Sequence, residues 1–258
     1  MDQQLTIVKV GGKVLEDPAS LQSFLDDFSV LPGAKLLVHG GGRSATSMAD
    51  RMGVETKMVD GRRITSSDML EVVTMVYGGL VNKKVVAELQ ARDINALGLT
   101  GADLDLVRAR KRTGTEIDYG FVGDVDEVHP KVLLNLVKQG VVPVVAPLSH
   151  DGKGQLLNTN ADTMASSLAV AVAGTFDTKL VFCFDKPGVL INPDDDNSVI
   201  PFLNRELFNM YREEGIIGEG MIPKLDNGFD SLQQGVLEVV ITNVEGLSIP
   251  GRGTTLGE

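Results

Sequence analysis

The sequence predicts an α/β protein with a mainly parallel central sheet. Short apolar runs alternate with helical patterns almost throughout the chain, the signature of strands joined by crossover helices. Leu5–Val10 runs into Gly11-Gly12 and Lys35–His39 into Gly40-Gly41-Gly42. These two strand–glycine–helix junctions stand about thirty residues apart, the length of a right-handed βαβ unit. In such sheets ligands bind beyond the carboxyl ends of the strands, so both glycine turns should face one crevice.

Taken in order, Leu5–Val10 is apolar and branched but for Lys9. Pro18 to Phe28 reads as a helix, with Asp17 as its cap and Pro18 at a first helical position. Ser44 to Met52 looks helical, and Asp60-Gly61 between short apolar stretches signals a hairpin. Ser66 to Arg92 is a long helical pattern, capped at Ser66 or Ser67. The Gly78-Gly79 pair within it costs roughly 1 kcal/mol per glycine against alanine, which a close partner helix or a kink would explain. Ile94 to Leu99 reads as a third core strand, and Leu104 to Val128 as a hairpin excursion on the sheet edge. Lys131 to Lys138 is a short helix, Val141 to Leu148 a strand interrupted by Pro143 and Pro147, and Asn160 to Ala173 an Ala-rich helix. From about Thr175 the pattern restarts with the strand Lys179 to Phe184, two helices over Asn204 to Glu214 and Met221 to Gln234, and strands at Val236 to Thr242 and the tail. We therefore expect two lobes, 1–174 and 175–258.

The 258 residues are enough for a full core. A net charge of -11 argues against a sequence-independent grip on nucleic acid. The longest basic cluster, Arg108 to Arg112, reads as a solvated hairpin. The single Cys183 excludes an intramolecular disulfide and fits a reducing compartment. Three histidines and one cysteine do not suit a zinc site. No signal peptide and no apolar run of about 20 residues is present, so a cytoplasmic protein away from membranes is expected.

The chemistry points to an anionic small ligand. Gly11-Gly12 and Gly40-Gly41-Gly42 place backbone N–H groups at helix starts, where the macrodipole also favours anions. Neither a P-loop nor a Rossmann fingerprint occurs. Lys9 at a strand end points either to solvent or at a bound anion. Arg62 and Arg63 are either a solvated hairpin tip or a carboxylate-binding fork. In Leu157-Asn-Thr-Asn-Ala-Asp162, Asp162 serves either the helix dipole or the orientation of lysines. Lys224, in the first turns of a helix after the glycine-rich stretch from Gly215, stands against the dipole, which points to a ligand or an ion pair. Lys9 and Lys224, if convergent, would neutralise a migrating phosphoryl group.

Five co-linear motifs now carry a resemblance: Val-Lys-Val-Gly-Gly (8–12), Val-His-Gly-Gly-Gly (38–42), Gly-Arg-Arg-Ile-Thr (61–65), Leu-Asn-Thr-Asn-Ala-Asp (157–162) and Gly-Met-Ile-Pro-Lys (220–224). From residue 5 to about 256 the chain resembles the amino-acid kinase family, in its N-acetyl-L-glutamate kinase branch. The resemblance implies a three-layer αβα sandwich with an open, mainly parallel sheet, an N-terminal lobe for the acylated amino acid and a C-terminal lobe for ATP. It implies transfer of a phosphoryl group from ATP, with Mg2+ held mainly by the nucleotide phosphates, to the γ-carboxylate of N-acetyl-L-glutamate in arginine biosynthesis. By motif, Lys9 and Lys224 would stabilise the transition state, Asp162 would hold both lysines, and Gly12 would donate its N–H to the phosphoryl group. Gly41, Gly42, Arg63 and Asn158 would contact the substrate. Gly11, Asp185, Gly188, Val189, Leu190, Ile216, Ile217, Gly218 and Gly220 would form the nucleotide site, with no protein metal ligands. A carboxylate nucleophile needs no general base, so positioning and charge neutralisation suffice.

The chain departs from the family pattern at Lys186-Pro187, where a small pair is more usual, and in its Gly-Thr-Thr tail. It begins a few residues before the first strand, without the extra N-terminal helix of arginine-inhibited hexameric relatives. A homodimer insensitive to arginine is therefore expected, with the Ser66–Arg92 helix as its interface. The alternatives are an N-succinyl-L-glutamate kinase, another carboxylate kinase of the family, and a non-catalytic amino-acid-binding module. The presence of Lys9, Asp162 and Lys224 speaks against the last.

Overall fold

A computed structural model describes residues 4–59, 62–218 and 220–257. The expected Asp60-Gly61 turn and the Glu219 position of the glycine-rich stretch lie outside the described residues. The first strand, β1 (Gln4–Val10), runs through Gly11 into the short α1 (Gly12–Glu16) and then α2 (Pro18–Val30). Asp17 caps α2 by accepting from the Ser20 N–H at 2.7 Å, and Pro18 fills the first helical position. Next come β2 (Ala34–His39), α3 (Gly42–Met52) and the antiparallel pair β3 (Lys57–Val59) and β4 (Arg62–Ile64). The long helix begins as α4 (Ser67–Val73), capped by Ser66, widens into a π-helix over Thr74–Val81, and ends as α5 (Asn82–Gln90). The chain continues through β5 (Ala96–Leu99), β6 (Val107–Lys111), β7 (Gly123–Val128), α6 (Lys131–Lys138), β8 (Val142–Val145), β9 (Leu148–His150) and β10 (Leu156–Asn158). It closes with α7 (Ala161–Ala173), β11 (Asp177–Phe184), β12 (Phe202–Asn204), α8 (Arg205–Glu213), α9 (Ile222–Gln233), β13 (Glu238–Asn243) and β14 (Thr254–Gly257).

The main sheet has the order β12-β14-β13-β11-β1-β2-β8-β5. From β11 to β5 every pairing is parallel, and β14 runs antiparallel to β13. The predicted lobes share this one sheet, because β11 pairs directly with β1. Strand alternation sorts β1 between two layers. Val8 and Val10 join a core with α2, α3 and α4, whereas Leu5 and Ile7 join one with α7 and α9. Lys9 has the parity of Leu5 and Ile7, so it enters the α7 layer. The chain leaves β1 for β2 on one side and later returns to β11 on the other, which makes the carboxyl end of β1 a topological switch point.

Three expectations need correction. The 104–128 hairpin does not lie on the edge of the main sheet. Its strands β6 and β7 join β9 and β10 in a separate four-stranded sheet, because residues 148–158 offer two further strands for pairing. Ile94 to Leu99 supplies an outer strand rather than a central one, and Leu97 is 40% exposed there. The Gly78 side of the long helix is approached by this chain itself. A Cβ on Gly78 would meet Leu148 Cδ1 at 3.5 Å and Thr100 Cγ2 at 3.6 Å, whereas Gly79 faces open space. Among the described residues no helix is long and apolar enough to cross a membrane.

The second sheet is tied to β4 at Gly120, where φ is +69° and an added Cβ would sit 2.2 Å from the Thr65 carbonyl oxygen. Gly120→Ala should therefore lose on the order of 2 kcal/mol or more. Urea unfolding of the variant checks this, and an unchanged midpoint would contradict it.

Candidate active site

Asp162 lies in the first turn of α7, whose N-cap Asn160 accepts from the Asp162 and Thr163 N–H groups at 2.8 and 3.1 Å. This cap holds the Asp162 backbone at the crevice, and the carboxylate is 7% exposed. Lys9 Nζ stands 2.8 Å from Oδ1 and Lys224 Nζ 2.5 Å from Oδ2. One carboxylate thus bridges two ammonium groups from β1 and α9. Burial works to raise the Asp162 pKa, but the charges and hydrogen bonds of Lys9 and Lys224 outweigh it and bring it down to about 2. Burial lowers the Lys9 pKa, with Asp162 opposing and Lys224 adding repulsion. The cluster carries a net positive charge, and its anionic complement has to be a ligand.

The two glycine turns abut next to the end of β1. The Gly11 N–H donates to the Cys183 carbonyl at 2.9 Å and the Gly40 N–H to the Val10 carbonyl at 3.0 Å. A Cβ on Gly40 would lie 3.3 Å from Gly12 N, and one on Gly12 would lie 3.9 and 4.0 Å from the amide nitrogens of Gly41 and Gly42. Among the described residues no group accepts from the N–H of Gly12, Gly41 or Gly42. Three backbone donors therefore cluster at two helix starts, a cradle for anionic oxygens. Gly41 has no room for a side chain, since its Cβ would meet the Tyr77 ring at 2.9 Å.

Arg63 is not a solvated hairpin tip. It is buried, and its Nη2 donates to the Gly42 carbonyl at 2.7 Å and the Thr46 hydroxyl at 2.9 Å. Its cationic fork is thereby locked beside the second glycine turn. Asn158 ends β10, where its Nδ2 donates to Thr65 Oγ1 at 3.0 Å and its N–H to the Phe121 carbonyl at 2.8 Å.

Gly188, Val189, Leu190, Ile216, Ile217, Gly218 and Gly220 line one cavity of about 190 Å³, together with Lys186, Pro193 and Met221. Its apolar walls and glycine rims fit the flat base of a nucleotide. The tail helps to shape it: Thr254 Oγ1 accepts from the Val189 N–H at 2.8 Å. Lys186 donates to Asp196 at 2.9 Å and to the Pro193 carbonyl at 3.0 Å. Gly11 and Asp185 sit outside this cavity. Asp185 ion-pairs with Lys13 of α1, so the two bridge the space between the cavity and the glycine turns. Burial opposes ionisation of Asp185, and Lys13 outweighs it to lower the pKa. Among the described residues no group of three or more His, Cys, Asp or Glu side chains could hold a metal ion.

The family model described as "Amino acid kinase family" matches residues 4–243. The chain belongs to the amino acid kinase family. The acetylglutamate kinase of Bacteroides fragilis is 55% identical over 251 residues, 97% of this chain and 96% of that protein. That of Bacteroides thetaiotaomicron is 57% identical over 242 residues, 94% of each chain. A crystal structure of a Streptococcus mutans protein superposes with a TM-score of 0.82 at 26% identity over 99% of each chain. The amino acid kinase fold thus accounts for the αβα layering.

Sequence reasoning missed Lys13, Thr65 and Thr254. Lys13 directly follows the first glycine pair and Thr65 ends the Gly-Arg-Arg-Ile-Thr run, which are the signals that could have found them. Thr254 lies in a tail whose pairing only the fold reveals.

The Asp162 pKa has a consequence for stability. A lowered carboxylate pKa contributes stability that is full above the unfolded value near 3.8 and is lost as the pH falls through about 2. Asp162→Asn should therefore lose roughly 2 kcal/mol at neutral pH, and the deficit should narrow below about pH 4. Urea unfolding across pH checks this, and a deficit that stays constant to acid pH would count against it.

Proposed function

We propose that this protein is an acetylglutamate kinase, an ATP-dependent phosphotransferase that converts the γ-carboxylate of N-acetyl-L-glutamate to the acyl phosphate in arginine biosynthesis. The observation that carries the reading is Asp162 bridging Lys9 and Lys224 beside three free backbone donors. It is supported by the names of the relatives at 55% and 57% identity.

The reaction asks little of the protein beyond placement. The γ-carboxylate is already ionised at neutral pH, so no base has to remove a proton. One of its oxygens bonds to the γ-phosphorus as the β,γ-bridging bond breaks and ADP leaves. Negative charge then spreads over the transferring group. Lys9 and Lys224 neutralise it from the α7 side, and the Gly12 N–H donates to it from the first turn. Asp162 keeps the two ammonium groups from repelling one another apart. Gly41, Gly42, Arg63 and Asn158 hold the amino-acid substrate, with the Arg63 cation serving its α-carboxylate. Gly11, Asp185, the loop Gly188–Leu190 and Ile216–Gly218 with Gly220 hold the nucleotide. Mg2+ would be held mainly by the nucleotide phosphates, where it would supply further charge neutralisation, because magnesium keeps several waters and needs few protein ligands. The 1–174 portion takes the amino acid and 175–258 the nucleotide.

We assign the protein to the cytoplasm as a homodimer. Support for the dimer comes from the long helix, where Met75 and Leu80 are 49% and 55% exposed and Gly79 is open to close approach.

Acyl-phosphate formation with ATP, trapped by hydroxylamine, tests the reaction. Turnover of N-acetyl-L-glutamate is expected, and none with any N-acylglutamate would refute it. Lys9→Ala and Lys224→Ala should each reduce kcat by roughly 10²-fold or more, and a near-normal kcat in either would refute its role.

A further inference from the structure

Behind the second glycine turn lies a buried polar chain that the phosphoryl chemistry does not use. His39, the last residue of β2, is fully buried. Its Nδ1 is 2.7 Å from the Gly40 carbonyl oxygen and its Nε2 is 3.1 Å from Asn82 Nδ2. Asn82 is 1% exposed and directly follows the π-helical stretch. Its Nδ2 donates to the Val144 carbonyl of β8 at 2.9 Å, and its Oδ1 accepts from Lys83 Nζ at 3.1 Å. Lys83 also donates to the Gly98 carbonyl at 3.2 Å. A Cβ at residue 98 would lie 1.9 Å from Asn82 Oδ1, so glycine there makes room for the network.

These partners leave one proton assignment. Lys83 has only donors and the Val144 carbonyl only accepts, so the carboxamide must turn its oxygen to Lys83 and its NH2 to Val144. Its second N–H then faces His39 Nε2, which has to accept. The imidazole proton therefore sits on Nδ1 and is donated to the Gly40 carbonyl. Burial first, with the Lys83 charge adding to it and the Gly40 bond opposing, holds the His39 pKa down to about 4, so the ring is neutral. Its register partner on β1 is Val10, which carries no charge.

The Gly40 carbonyl and the Gly41 N–H belong to one planar peptide. No described peptide bond is cis, so the two point in opposite directions in one plane. Fixing the carbonyl therefore fixes the N–H, which is one of the three free donors of the cradle. The Gly40 N–H is tied to Val10, so both sides of this residue are held.

We infer that His39 and Asn82 form a positioning pair, in which Asn82 sets the His39 tautomer and His39 aims the Gly41 N–H at an oxygen of the anionic ligand. The inference rests on the carboxylate-kinase reading for what that ligand is, and neither residue touches the reacting atoms.

Two measurements on the full chain test the pair. Nitrogen-15 NMR of the wild type should show His39 as the neutral Nδ1–H tautomer from about pH 8 to about pH 5. An Nε2–H tautomer would overturn the inference. Asn82→Asp replaces the amide donor with a carboxylate, which Nε2 satisfies only by donating. The Gly40 bond then survives only while His39 carries both protons. In the hydroxylamine assay kcat/KM of this variant should fall about tenfold or more as the pH rises from about 6 to about 8. Asn82→Ala should lose activity without that pH dependence. A folded Asn82→Asp protein with the wild-type pH profile would overturn the pair. Should Asn82→Asp not fold, the wild-type tautomer decides alone. A wild type that fails to turn over refutes the kinase reading and leaves the tautomer measurement to decide the pair.

Discussion

The crevice depends on one buried carboxylate shared by two lysines. Lys9 comes from the central strand, Asp162 from the start of α7 and Lys224 from the start of α9. None of the three tolerates burial alone, since an isolated charge in the interior costs several kcal/mol. Together they are tolerable, and they knit the first strand to two helices that come much later in the chain. The excess positive charge makes the cluster a fixed electrostatic feature that needs no reorganisation when an anion arrives.

The parallel sheet puts that cluster where backbone donors are available. The carboxyl end of β1 lies between β2 and β11, and the chain passes through glycine after β1 and after β2. Side chains at Gly40 or Gly41 would crowd the neighbouring turn or the Tyr77 ring. The small residues are thus a packing requirement as well as a means of exposing N–H groups. The second sheet brings Asn158 to the same end of the molecule through its ties to Thr65, which directly follows β4.

Much of the site could be read from the chain because its residues depart from local preference. A lysine in a buried strand, a lysine at a helix start and a Gly-Gly-Gly run after a strand are each locally unfavourable, so each signals a partner elsewhere. Residues that obey local rules were silent. His39 is an unremarkable strand end, Asn82 an ordinary helical residue and Thr254 a tail residue, and each acquires meaning only from a neighbour remote in sequence. Arg63 also read as a surface residue, and its burial goes with its bonds to Gly42 and Thr46 of α3.

By itself the sequence determined the alternation of strands and helices, the cap at Asp17, the glycine turns and the charged residues of the crevice. These follow from periodicity, turn chemistry and charge, which act over a few residues. Only the tertiary structure decided that the strands at 107–111, 123–128, 148–150 and 156–158 form a sheet of their own, that the long helix widens at 74–81, and that Lys9 meets Asp162 rather than solvent. Strand partners and ion pairs are chosen among segments far apart in sequence, by which edges and which faces remain to be covered. No local pattern encodes that choice.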